Sequence, residues 1–253
     1  MKLTDNTIFI TGGGSGIGRG LAEAFHKLGN TVIIAGRRRQ LLDKVVAANP
    51  GMHAVELDVT DQASIEQVGR ELIERFPKLN LLFNNAGIMP TDDVSGIVDA
   101  TTVDMTVATN LLGPIRMSSA LIEHLKAQPH AVIINNTSVL AYVPIAMFAV
   151  YSATKAALHS YTLSQRFMLR NTGVRVREIV PPWVDTDLVY KSGDPRAMPL
   201  EPFVEQVMAG LATDAEEVVV EQAKPARDNP GPNEHAFVNG LNQTLIDNPI
   251  PLG

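Results

Sequence analysis

Short runs of β-branched and other apolar residues alternate with helical stretches from the start of the chain to about residue 187. The runs are Thr7–Thr11, Thr31–Ala35, His53–Asp58, Leu81–Asn84, Ala131–Thr137 and Arg175–Val180, with a later one at Val218–Gln222. Most are continuously apolar, which is how a strand reads when both of its faces are covered. Between them, Ile17–Leu28, Gln62–Phe76, Val103–Lys126 and Tyr151–Arg170 carry helical patterns. Strand followed by helix, repeated, predicts an α/β domain with a parallel sheet wrapped by helices. A chain of 253 residues fills one such domain and buries a sizeable core without covalent staples.

Composition removes several classes of function. The chain has no cysteine, which excludes thiol catalysis, zinc-thiolate sites and disulfides. A formal charge of −6 argues against a general nucleic-acid binder. No run approaches the roughly 18 apolar residues of a membrane span, and the start of the chain lacks the long apolar core of a signal peptide. A cytoplasmic protein that binds neither membrane nor nucleic acid is expected. Past residue 187 the rhythm breaks, at Ser192-Gly193-Asp194-Pro195 and again over Lys224–Pro232. The expectation is one domain over residues 1–253, whose late, irregular segment is either a substrate lid beyond the carboxyl ends of the strands or an ordinary surface loop.

The first run leads directly into Thr11-Gly12-Gly13-Gly14-Ser15-Gly16-Ile17-Gly18. Glycines there let the backbone turn tightly and approach a pyrophosphate, while the next helix directs its free N–H groups at that anion. A nicotinamide site that prefers NAD places an acid at the end of the second strand to hold the ribose 2′-hydroxyl. Here that strand ends Gly36-Arg37-Arg38-Arg39. A carboxylate would repel a 2′-phosphate, whereas guanidinium binds one. NADP(H) is therefore expected over NAD(H), with Arg37 the first candidate and Arg38 the second. Some of these arginines instead begin a solvated helix.

Tyr151-Ser152-Ala153-Thr154-Lys155 opens the last long helical pattern. Residues four apart share a helix face, and an ammonium near a phenol is expected to lower the tyrosine pKa toward neutrality. Such a tyrosine trades a proton with a carbonyl or alcohol oxygen. Ser138 closes the run Ala131–Thr137, at the sheet edge where ligands sit, and offers a second hydroxyl to that oxygen. Asn110 is a poor helix former in mid-helix, which makes sense if it holds a water.

Together, the glycine turn, Asn84-Asn85-Ala86-Gly87, Asn110, Ser138 and Tyr151-x-x-x-Lys155 resemble the short-chain dehydrogenase/reductase superfamily, in order and spacing, from residue 5 to about 187. The resemblance implies a single Rossmann-type, doubly wound domain with a seven-stranded parallel sheet and helices on both faces. It implies a catalytic set of Asn110, Ser138, Tyr151 and Lys155 that needs no metal. It also implies cofactor contacts from Gly12, Ser15, Gly16, Ile17 and Gly18, from Asp58 and Val59 at the adenine, and from Asn85, Ala86 and Gly87 along the cofactor. Tyr151, Lys155, Pro181 and Thr186 would hold the nicotinamide end. The family's usual Pro-Gly is Pro181-Pro182 here, a form that resembles the DltE-like branch.

The uncharged stretch Val139–Phe148 separates Ser138 from Tyr151. As a pocket wall it predicts an apolar carbonyl or secondary alcohol substrate, held by Ser138, Leu140, Phe148, Tyr151 and Trp183, with Met198 a further candidate. Small residues Ser118, Ala120, Ala153, Ala156 and Ala157 on two helices suit close packing between subunits, and a homodimer or homotetramer is expected. The rival readings are a non-catalytic NADP(H)-sensing binding protein, a nucleotide-sugar epimerase or dehydratase, and a methyltransferase. The first would be expected to lose Tyr151 or Lys155. The second needs a larger substrate domain, and the third leaves Ser138, Tyr151 and Lys155 unexplained.

Overall fold

Successive side chains of a strand point to opposite faces, so a continuously apolar strand needs a helical layer on each side. The computed structural model, which describes residues 1–229 and 231–251, has this arrangement. Its strands are β1 (Thr7–Thr11), β2 (Thr31–Gly36), β3 (His53–Glu56), β4 (Leu79–Asn84), β5 (Ala131–Asn136), β6 (Val174–Val180) and β7 (Glu217–Val219). They form one sheet in the order β3-β2-β1-β4-β5-β6-β7, and every neighbouring pair is parallel. The helices are α1 (Gly16–Lys27), α2 (Arg39–Ala48), α3 (Gln62–Arg75), α4 (Ala100–Val107), α5 (Gly113–Lys126), α6 (Ala149–Leu169), α7 (Leu200–Ala212), α8 (Lys224–Arg227) and α9 (Glu234–Asp247).

The two faces divide the core by strand parity. Ile8, Ile10, Val32, Ile34, Leu81 and Phe83 pack on one side with Leu21 and Phe25 of α1 and Phe203, Val207 and Leu211 of α7. Phe9, Ile33, Leu82 and Ile133 pack on the other with Ile65 and Leu72 of α3 and Met117 and Leu121 of α5. Replacing a fully buried aromatic such as Phe9 with alanine costs about 3–5 kcal/mol in a core of this kind.

Three features differ from the sequence reading. The stretch Val103–Lys126 is not one helix, because the backbone widens into a π turn at Ala108–Leu112 between α4 and α5. Helices α2, α7 and α9 also form. The segment after residue 187 therefore holds regular elements, and β7 extends the sheet beside β6. Ser118 and Ala120 face inward: Ser118 is buried and accepts a hydrogen bond from Asn84, and Ala120 packs against the core. Ala153 and Ala156 of α6 are exposed. Among the described residues no helix is long and apolar enough to cross a membrane.

Candidate active site

The strand order reverses at β1 and β4, so the loops leaving their carboxyl ends diverge and open a cleft. A cavity of about 940 Å³ fills it, bounded by Thr11–Gly12 and Gly14–Ile17, the end of β2, Asn85–Pro90, the loop after β5 and the start of α6. At its floor the two loops are tied together. Thr11 Oγ1 accepts from the N–H groups of Asn85 and Ala86 at 3.0 and 3.1 Å, and Asn85 Nδ2 donates to the carbonyls of Thr11 and Gly12 at 3.0 and 3.2 Å. Gly12 takes a φ of +69°, and a Cβ there would stand 2.9 Å from Ala86 Cα. Gly18 does not line the cavity. Its role is close packing, since a Cβ would lie 2.3 Å from Asn85 Nδ2 and 2.4 Å from the Gly12 carbonyl.

At the far end of the cavity, Arg37 and Arg38 stand exposed on the rim. Arg38 donates to Ser15 Oγ at 3.1 Å, whereas Arg37 makes no hydrogen bond or ion pair with the described residues. Arg39 begins α2 and pairs with Asp43 at 2.8 Å, so the third arginine belongs to the helix surface. Asp58 and Val59 line the adjoining wall, the Asp58 carboxylate accepting from Thr60 N–H and Oγ1 at 2.9 and 2.7 Å. The glycine turn with its open helix end and the two guanidiniums on the rim form a cradle that fits a nicotinamide dinucleotide.

Ser138, Tyr151 and Lys155 meet on the opposite wall. Asp92 fixes the start of α6 by accepting from the N–H groups of Ala149 and Val150 at 3.1 and 2.8 Å, which sets the helix face that carries both residues. The Lys155 Nζ donates to the Asn136 carbonyl at 2.7 Å and lies 5.5 Å from the centre of the Tyr151 ring. Burial pushes the Tyr151 phenol up to about 12, against an opposing pull from the Ser138 hydroxyl. Burial also brings Lys155 down to about 8, while Glu178 acts to raise it. The expected lowering of the tyrosine is not what this structure gives: the lysine points to a backbone carbonyl, and burial raises the phenol against the pull of Ser138 alone.

Asn110 is buried away from the cavity, inside the π turn. Its Oδ1 accepts from Ile88 N–H at 2.9 Å and its Nδ2 donates to the Ile88 carbonyl at 2.8 Å. It thus clamps the loop that follows Gly87, with Thr154 at 3.3 Å on its other side. Pro181 and Thr186 line the cavity, and Thr186 faces Gly16. Leu140 and Trp183 line the cavity, whereas Phe148 and Met198 do not. Phe148 is fully buried behind Leu140 and Tyr151. Met198 belongs to the sheet core, where its N–H bonds the Trp183 carbonyl. The sequence reading missed Met89, Val189, Leu241, Leu245 and Ile250, which also line the cavity. Phe237, Leu241 and Leu245 recur at four-residue spacing, a signal of an inward helix face in α9.

The family model for short chain dehydrogenases matches residues 6–197, and the chain belongs to the short chain dehydrogenase family. It is 39% identical over 234 residues to the uncharacterized oxidoreductase DltE of Bacillus subtilis (strain 168), covering 90% of this chain and 93% of that one. This similarity puts it in the DltE-like branch, and the chain is an oxidoreductase. A short chain dehydrogenase from Burkholderia cenocepacia J2315, solved in complex with NADP, matches with a TM-score of 0.82 at 27% identity over 97% of this chain and 99% of that one. The 3-ketoacyl-(acyl-carrier-protein) reductase of Brucella melitensis, complexed with NADH, matches with a TM-score of 0.79 at 26% identity over 88% and 100%.

Proposed function

We propose that this protein is an NADP(H)-dependent oxidoreductase that transfers a hydride between the nicotinamide and an apolar ketone or secondary alcohol, with Tyr151 as the general acid/base at the reacting oxygen. The observation that carries the reading is the meeting of Ser138, Tyr151 and Lys155 on the same cavity as the glycine turn. The nicotinamide, when bound, supplies the hydride. The chain supplies position and charge. Gly12, Ser15, Gly16 and Ile17 would hold the pyrophosphate, with Gly18 packed beneath them. Arg37 and then Arg38 would take the 2′-phosphate, and Asp58 and Val59 the adenine. Asn85, Ala86 and Gly87 would run along the cofactor, and Tyr151, Lys155, Pro181 and Thr186 would meet its nicotinamide end.

Tyr151 gives its proton to the carbonyl oxygen during reduction and takes one from the alcohol during oxidation. Ser138 donates to the substrate oxygen and orients it, and Lys155 places positive charge beside the phenolate as it forms. Asn110 holds the backbone at Ile88, under the site. Leu140, Trp183, Ile145, Val189 and Leu245 give the substrate side of the cavity an apolar wall. The loop over residues 185–199 and helix α9 act as the lid. Exposed Leu163, Phe167 and Met168 on α6, beside Ala153 and Ala156, suit a homodimer or homotetramer interface.

Two measurements test this. NADPH should bind more tightly than NADH in a fluorescence titration, and a panel of apolar ketones should consume NADPH. Tyr151→Phe should retain NADPH binding and lose at least ~100-fold in turnover, the usual scale of general-acid catalysis. Tight NADPH binding with no turnover on any carbonyl would favour the rival reading of a cofactor-sensing protein.

A further inference from the structure

Strand β6 is otherwise apolar toward the site side of the sheet, yet it places Glu178 there, fully buried. Its carboxylate accepts from Thr137 Oγ1 at 2.6 Å, and both of its oxygens lie 2.9 Å from His159 Nδ1. The neighbouring strand presents a second carboxylate in register, Glu217. Glu217 has its own cation: Arg227 Nε reaches both oxygens at 2.8 Å, and the Tyr142 hydroxyl donates to it at 2.5 Å. Arg177, next to Glu178 on β6, points to the other face and is spent on the carbonyls of Leu211, Thr213 and Ala215. Of the charged groups around Glu178, that leaves Lys155 without a carboxylate in direct contact.

The geometry brings the two together at adjacent points. Lys155 and His159 are four residues apart on α6, so they lie on one helix face. Lys155 is bonded to the carbonyl of Asn136, and Glu178 is bonded to the side chain of the next residue, Thr137. The titratable groups facing this pair are Tyr151 and His159 from α6, Tyr142 from the loop after β5, Glu217 from β7 and Arg227 from α8. An unpaired buried ammonium discharges, whereas a nearby fixed carboxylate keeps it charged.

We propose that Glu178, fixed by Thr137 and His159, is a positioning residue for the reaction: the buried counter-ion that keeps Lys155 an ammonium beside Tyr151. This rests on the catalytic reading of Tyr151 and Lys155 given above. Glu178 itself touches neither substrate nor cofactor and acts through the lysine.

The test is the titration of Lys155 in protein labelled with [13Cε]lysine, read by NMR without cofactor and assigned with Lys155→Met. Glu178→Gln, which keeps shape and removes charge, should lower the Lys155 midpoint by about one pH unit or more, the scale of one opposite charge nearby. The high-pH limb of NADPH-dependent carbonyl reduction should move down by the same amount. Glu178→Asp, which keeps the charge, should restore most of both. A Lys155 midpoint unchanged in Glu178→Gln overturns the proposal. If Glu178→Gln does not fold, the double variant Glu178→Gln/Lys155→Met should fold, because the unpaired ammonium is gone. Failure of the double variant as well overturns the proposal, since the role would then be structural. If the midpoint falls but the wild-type protein reduces no carbonyl compound, the pairing holds and the catalytic reading is what fails.

Discussion

Lys155→Met should make the protein more stable at pH 7 while destroying its activity. Lys155 is almost fully buried, and burial holds its ammonium at about 8 against an ordinary 10.5. Each pKa unit is about 1.36 kcal/mol between the two protonation states, so carrying that charge in the fold costs about 3 kcal/mol at neutral pH. Methionine removes the charge. It also removes the 2.7 Å bond from the charged Nζ to the Asn136 carbonyl, a loss of about 2 kcal/mol. The net gain is about 1 kcal/mol at pH 7. The sign of the pH dependence is fixed by the depressed pKa of a base. Between about 8 and 10.5 the unfolded chain binds more protons than the folded one, so wild-type stability rises with pH through that window. The advantage of Lys155→Met should therefore shrink above pH 8 and vanish, or reverse slightly, by about pH 10.5. Urea unfolding of both proteins without cofactor at several pH values reads this directly. A variant that is less stable at pH 7, or a gap that does not change with pH, refutes the reasoning.

Three further outcomes follow from the site. Arg37→Ala should weaken NADPH binding about 10- to 100-fold, the scale of a lost charge-assisted hydrogen bond or two, and leave NADH nearly unchanged in the same titration. Gly18→Ala places a Cβ 2.3 Å from Asn85 Nδ2 and 2.4 Å from the Gly12 carbonyl. It should cost roughly 1–3 kcal/mol, as overpacking does, and reduce cofactor affinity measured by calorimetry. Asp92→Ala removes the acceptor for two N–H groups at the start of α6 and should cost about 1 kcal/mol in thermal unfolding, with a drop in turnover larger than any rise in KM.

The parts of the site that depend on local backbone rules were legible in the sequence. The glycine turn follows a strand and opens a helix, so its position on the sheet edge is implied by chain order alone. Tyr151 and Lys155 share a face because four residues make one helical turn. What depended on tertiary packing was not legible. The apolar stretch Val139–Phe148 gives no periodicity that separates Leu140, on the wall, from Phe148, behind it. Asn110 stood out as a poor helix former. The π turn that buries it is set by its bonds to Ile88, 22 positions away. The raised phenol of Tyr151 has a related cause: spacing shows that a lysine is near, but only the fold shows how deeply both groups are buried.

The strand Val174–Val180 shows how one local anomaly resolves into two separate functions. Arg175, Arg177 and Glu178 break the apolar pattern of this strand, and the adjacent Arg177 and Glu178 suggest an ion pair. Strand geometry forbids that, because consecutive side chains leave on opposite faces. Arg177 goes to the other face, where the carbonyls in the last turn of α7 and just past it lack helical partners and a guanidinium can satisfy several at once. Glu178 goes to the inner layer, where its oxygens are held by a hydroxyl and an imidazole and where a buried ammonium needs a counter-charge. Swapping the two residues would put a cation beside Lys155 and a carboxylate among carbonyls. The order Arg-Glu rather than Glu-Arg is thus fixed by which face of β6 looks toward Tyr151.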